Sequence, residues 1–135
     1  PRIVRLFPDS RAAEQEFFAK TGVFPIMHAV AIRRSLVTQH PELSRSIFDA
    51  YSKSKAMNEE YMSKVGWAME SLPWFTQELE QTKALMGRNF YSYGVPPNRK
   101  ALDTIFRYSH EQGLCSRRLT IEEIFEPGSI AFEEG

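Results

Sequence analysis

The feature that most constrains the fold of this chain is a change of sequence pattern at about Pro41. Before it, residues 3–7 and 23–32 form short apolar runs with β-branched side chains, which are typical of buried strands. After it, apolar residues recur at the three- and four-residue spacing of helices that bury one face. The order is strand, helix, strand and then helices, so the sequence predicts an α/β fold that is helix-rich in this segment.

Capping and turn residues mark where the predicted helices begin and end. Asp9 or Ser10 caps a first helix that ends at Gly22, and Thr120 forms a capping box with Glu123 at the start of a short last helix. We predict three further helices, over residues 41–68, 72–87 and 98–112. The elements divide into a strand–helix–strand unit over residues 1–33, a helical part of the same fold over 34–126, and a mobile tail over 127–135.

The charge balance and the cysteine content exclude several classes of protein. Lysine and arginine total 17, and aspartate and glutamate total 17, so the chain has no net charge to attract nucleic acid or anionic lipid. The pairs Arg33-Arg34 and Arg117-Arg118 are interpreted as solvated surface. The single cysteine, Cys115, excludes an intrachain disulfide. No apolar run is long enough to cross a membrane, so we expect neither a nucleic acid nor a membrane as a partner.

Five short motifs, taken together and in order, resemble the C-terminal part of one enzyme family. They lie between residues 3 and 126 and are Arg5-Leu-Phe-Pro-Asp9, Thr21-Gly-Val-Phe-Pro-Ile-Met-His28, Ser71-Leu-Pro-Trp74, Tyr93-Gly-Val95 with Asn98-Arg99-Lys100, and Tyr108-Ser-His-Glu-Gln-Gly-Leu114. The family is that of 4,5-dihydroxyphthalate decarboxylase. The resemblance implies a two-lobed fold of the type II periplasmic-binding-protein kind, with the crossover between the lobes within residues 1–33.

The resemblance also implies an activity, a ligand and a location. The family removes one carboxylate from 4,5-dihydroxyphthalate to give protocatechuate during phthalate degradation in the cytoplasm, so a small aromatic dicarboxylate is the expected ligand. The chain begins at Pro1 rather than at Met, and we expect an N-terminal part of the same protein to complete the cleft. Because half of a cleft exposes apolar surface, self-association into a homo-oligomer is a further expectation.

His28 is the candidate catalytic residue, because the reaction needs an acid that protonates the ring carbon. An imidazole titrates near neutral pH, and ligand clefts of open α/β folds lie at strand ends. The alternative is a core histidine that bonds to the backbone. The para hydroxyl of the substrate already donates electrons into the ring, so no cofactor is expected. The three histidines also lack the i, i+4 spacing of a metal site.

The candidate substrate-binding residues are Arg5, Phe24 and Arg99. Arg5 has the planar guanidinium that pairs with a carboxylate through two hydrogen bonds, and its alternative role is an ordinary ion pair. Arg99 lies at a predicted helix start, where it either binds an anion or faces solvent. Phe24 lies in the same run as His28 and is the expected contact for an aromatic ring.

Two other classes of function stay open at this point. A transporter-type solute-binding protein would hold a small aromatic or heterocyclic anion without changing it, and a leader peptide before Pro1 would favour this alternative. A scaffold whose helices serve assembly would bind no aromatic acid.

Overall fold

The computed structural model describes residues 3–64 and 72–134, and within these residues the chain forms six α-helices joined by extended segments and turns. The helices are α1 (Ser10–Thr21), α2 (Arg34–Gln39), α3 (Leu43–Lys64), α4 (Phe75–Met86), α5 (Val95–Glu111) and α6 (Ile121–Ile124). A single 3-10 turn, Pro127–Ser129, follows α6. The helix-rich character predicted for this segment is therefore confirmed.

Helix α1 begins and ends at the predicted caps. A carboxylate oxygen of Asp9 accepts a hydrogen bond of 3.0 Å from the amide of Ala12, which satisfies one of the free N–H groups of the first turn. At the other end, Gly22 has a φ of 63° and its amide donates to the carbonyl of Phe18. This left-handed conformation favours glycine and stops the helix where the sequence predicts.

The two predicted strands are not formed. Within residues 3–64 and 72–134, the β-type pairing is a single antiparallel bridge between Gly94 and Glu133, and residues 3–9 and 22–33 have no regular secondary structure. A strand is held by backbone hydrogen bonds to a neighbouring strand, and no described segment pairs with either run. Several of their apolar side chains, such as Ile3 and Val30, are exposed, and the predicted sheet is not found in this part of the chain.

Helices α3, α4 and α5 lie where the sequence predicts helices, but they begin at different residues. Helix α3 begins two residues after Pro41, and residues 65–68 of the predicted helix lie outside the described residues. Helix α5 begins at Val95, three residues before the predicted start, because Pro96 and Pro97 suit a first helical turn. The short helix α2 was not predicted from the sequence.

The core forms around α5. Val95 and Leu102 lie two turns apart on α5, and both are buried against Ile121 of α6. Four partly buried apolar residues, from the extended segment, α5 and the C-terminal part of the chain, pack around this cluster: Ile26, Phe106, Phe125 and Ile130. The sequence therefore places its most amphipathic helix at the centre, and the other segments are positioned by their contacts with it.

The C-terminal segment packs against α3 and the start of α5, whereas the sequence predicts a mobile tail over 127–135. The rings of Phe132 and Phe48 lie 5.3 Å apart, and the guanidinium of Arg45 lies 5.1 Å from the centre of the Phe132 ring. The bridge between Gly94 and Glu133 adds a backbone contact. Residues 130–134 thus contact two helices, and Gly135 lies outside the described residues.

Replacing Gly94 by alanine is expected to detach this segment. Gly94 has a φ of 99°, and a Cβ atom added there would lie 2.0 Å from the carbonyl oxygen of Phe132. We expect Gly94→Ala to lower the free energy of unfolding by at least about 2 kcal/mol, as measured by urea denaturation. Gly87→Ala is the matched control, because Gly87 has a similar φ of 90° but no atom within 4 Å of its Cβ position. Equal losses in the two variants would contradict the proposed steric contact.

Candidate functional site

The candidate catalytic residue, His28, lies in the extended segment 22–33 with its side chain exposed. It forms no side-chain hydrogen bond or ion pair with the described residues. The described residues therefore neither bury His28 nor bond it to the backbone, and its catalytic role and the core-histidine alternative both stay predictions. An exposed imidazole that is free of protein partners is available to exchange a proton with a bound molecule.

Contacts before and after the end of α1 hold the segment that carries His28 in place. The ammonium group of Lys100 on α5 donates a hydrogen bond to the carbonyl of Thr21, at the end of α1. Further along, Phe24 meets the ring of Tyr91 edge to face, with 6.0 Å between the ring centres. Ile26 then packs against the buried cluster of α5 and α6. The segment is thus anchored up to two residues before His28.

Phe24 is half-buried by this packing, so its ring already has a protein partner. Tyr91 in turn packs against Phe90, with 5.0 Å between the ring centres, and the three rings form a row. Tyr91 is more than half exposed. The row therefore presents an aromatic edge to solvent beside the His28 segment.

Arg5 lies in the exposed segment that precedes α1. Asp9, the acid nearest to it in the sequence, is engaged at the N-terminus of α1. Among the described residues, no hydrogen bond or ion pair joins Arg5 to an acid, and none joins Arg5, His28 and Arg99 to one another. The roles that the sequence predicts for these residues therefore stay predictions.

Arg99 lies in an open groove of about 550 Å³ along one side of α5. Arg99, Asp103 and Arg107 are four residues apart and so lie on one face of the helix. The lining of the groove also includes Arg118, from the loop between α5 and α6. The neighbouring Asn98 does not cap α5, because its side-chain amide donates to the carbonyls of Ser92 and Gly94.

Arg118 is the site residue that sequence reasoning missed. The pair Arg117-Arg118 was interpreted as solvated surface, and both side chains are exposed. The guanidinium of Arg117 makes two contacts with the carboxylate of Glu123, at 2.7 and 3.0 Å, and this contact lowers the pKa of Glu123 and raises that of Arg117. Arg118 instead lines the groove. The local sequence does not separate the two arginines, since acids follow both: Glu122 comes four residues after Arg118 and Glu123 six residues after Arg117.

A second groove, of about 460 Å³, lies where the C-terminal segment meets α3. At its edge, one carboxylate oxygen of Glu134 accepts hydrogen bonds from the ammonium of Lys55 at 2.6 Å, the amide of Tyr93 at 2.9 Å and the side chain of Asn89 at 3.1 Å. Burial of Glu134 raises the pKa of its carboxyl, but these donors outweigh burial and hold the pKa below its usual range.

Glu134 is expected to make the stability of the protein depend on pH. Because its pKa is lower in the folded state, its stabilisation is complete above the ordinary carboxyl pKa and is lost as the pH falls through the lowered value. We expect Glu134→Gln to destabilise the protein at neutral pH and to do so progressively less as the pH falls below about 4. Thermal unfolding at a series of pH values measures this. Glu133→Gln, at the exposed neighbouring position, is the control, and a pH-independent effect of Glu134→Gln would contradict the expectation.

The remaining histidines have structural contacts. His40 lies 3.5 Å from the carboxylate of Glu42, at the start of α3, and His110 contacts the carbonyl of Cys115 at 3.3 Å. Within residues 3–64 and 72–134, no group of three or more His, Cys, Asp or Glu side chains is arranged to hold a metal ion. In the same residues, each helix is too short or too polar to span a bilayer.

Comparison with known proteins relates the chain to a decarboxylase. The relative is the 4,5-dihydroxyphthalate decarboxylase of Comamonas testosteroni, which is 35% identical over 130 residues, or 96% of this chain. The match covers 39% of the relative, so the chain spans about two fifths of that protein's length. No family model matches the chain. The resemblance that the five motifs indicate is thus confirmed.

Proposed function

We propose that the protein is a carboxy-lyase that removes one carboxylate from 4,5-dihydroxyphthalate and leaves protocatechuate. The observation that carries this proposal is the 35% identity to a protein of that name over nearly the whole chain. The exposed His28 and the arginines at positions 5 and 99 supply the two kinds of group that the chemistry needs, a proton donor and carboxylate anchors.

In the proposed reaction, the imidazolium of His28 gives its proton to the ring carbon that bears the leaving carboxylate. The para hydroxyl donates electrons and stabilises the protonated ring. The bond between ring and carboxylate then breaks, its electron pair restores the aromatic ring, and carbon dioxide leaves. His28 regains a proton from water. Arg5 and Arg99 hold carboxylates of the substrate, and Phe24 contributes to the aromatic wall beside it.

For the whole protein we propose the two-lobed, periplasmic-binding-protein-like α/β fold and a cytoplasmic location. An N-terminal part would supply the sheet to which the segments 3–9 and 22–33 add strands. The exposure of apolar residues such as Leu6 and Met27 in these segments supports this proposal, because large apolar side chains that face solvent mark surfaces that another part of the molecule covers.

Incubation of the purified full-length protein with 4,5-dihydroxyphthalate tests the activity. We expect protocatechuate to accumulate, as measured by chromatography, in step with the loss of substrate. A parallel binding titration separates the outcomes. Tight binding without product would contradict the decarboxylase proposal and favour a solute-binding protein, and the absence of both binding and product would contradict both.

Replacing His28 tests the mechanism. We expect His28→Gln to lower kcat by about 100-fold or more with little change in KM, because the variant keeps a polar side chain but cannot protonate the ring. His40→Gln is the matched control, since His40 is also exposed and follows the last residue of α2. Near-normal turnover by His28→Gln would remove this residue from the mechanism.

A further inference from the structure

The groove along α5 is lined by more basic than acidic side chains. Four basic residues line it, Arg99, Lys100, Arg107 and Arg118, against one acid, Asp103. The chain as a whole has equal numbers of acidic and basic residues. Because Glu111 pairs with Arg107, the local excess is two positive charges, and in a neutral chain this excess produces a field that attracts anions to the groove.

Two of the four basic groups are free to bind. Arg107 contacts the carboxylate of Glu111 at 3.3 Å, and Lys100 donates to the carbonyl of Thr21. The guanidinium groups of Arg99 and Arg118 form no ion pair or side-chain hydrogen bond with the described residues. The donors of these two side chains are thus available to an anion from solution.

Side chains, rather than the helix backbone, must supply the donors here. Residues 96 and 97, in the first turn of α5, are both proline and have no N–H group. A guanidinium presents paired donors that match both oxygens of one carboxylate, which favours carboxylates over anions without that geometry.

We propose that Arg99 and Arg118 together bind the carboxylate that the substrate keeps. The identity of the ligand as an aromatic dicarboxylate rests on the proposed function, whereas anion binding by the groove does not. The Lys100 contact with Thr21 places the start of the His28 segment at the edge of the groove. The retained carboxylate is therefore held on the face of α5 that carries Arg99.

Binding of phthalate, which lacks the hydroxyl groups that drive decarboxylation, tests the groove without turnover. We expect saturable binding to the full-length protein by titration calorimetry, weakened by added salt. We expect Arg118→Gln to raise the Kd for phthalate by about five- to tenfold, the loss of one charge-assisted pair at an open site. Arg99→Gln is expected to act in the same way.

Arg117→Gln is the matched control, because it removes the same charge at the adjacent position but Arg117 pairs with Glu123 outside the groove. Unchanged phthalate binding by Arg118→Gln and Arg99→Gln, an equal loss in Arg117→Gln, or no saturable binding of phthalate would each overturn the proposal. The turnover assay distinguishes this failure from that of the proposed function. Phthalate binding that depends on Arg118, without formation of protocatechuate, would support the anion site and contradict the decarboxylase proposal. Formation of protocatechuate, with phthalate binding that does not depend on Arg118, would support the decarboxylase proposal and contradict the anion site.

Discussion

The packing of Val95 and Leu102 against Ile121 is the interaction on which the rest of the structure depends. These three side chains are the buried apolar core of the described residues, and they fix α5 against α6. Every other feature of the site is placed relative to α5. One side of the helix carries the basic groove, its N-terminus meets the C-terminal segment, and its core face holds Ile26 in the segment that leads to His28.

Local signals in the sequence were enough to place most of the helices. Asp9 and Gly22 bound α1 as predicted, and the capping box of Thr120 with Glu123 opens α6. These caps depend on hydrogen bonds between residues a few positions apart, so the local sequence predicts them. The start of α5 differed because Pro96 and Pro97 continue into the helix rather than ending the loop before it.

Features that depend on contacts between distant parts of the chain could not be predicted from the local sequence. Residues 23–32 have the composition of a strand, but a strand also needs a partner, and none is present in the described part of the chain. The position of the C-terminal segment depends on Phe132 meeting Phe48, 84 residues earlier, and on Glu134 meeting Lys55. Arg118 joins Arg99 in one groove across 19 residues of sequence. A composition rich in Glu, Pro and Gly predicted mobility for the tail and gave no indication of these partners.

The hydrogen bond from Lys100 to the carbonyl of Thr21 connects α5 to the end of α1 through one side chain. The ammonium of Lys100 offsets the negative end of the α1 dipole, and the same side chain lines the groove along α5. An anion beside Arg99 would attract the same ammonium, so occupancy of the groove and the hydrogen bond at Thr21 are not independent. His28, the proposed proton donor, lies seven residues after Thr21, so this hydrogen bond joins the groove to the segment that carries it.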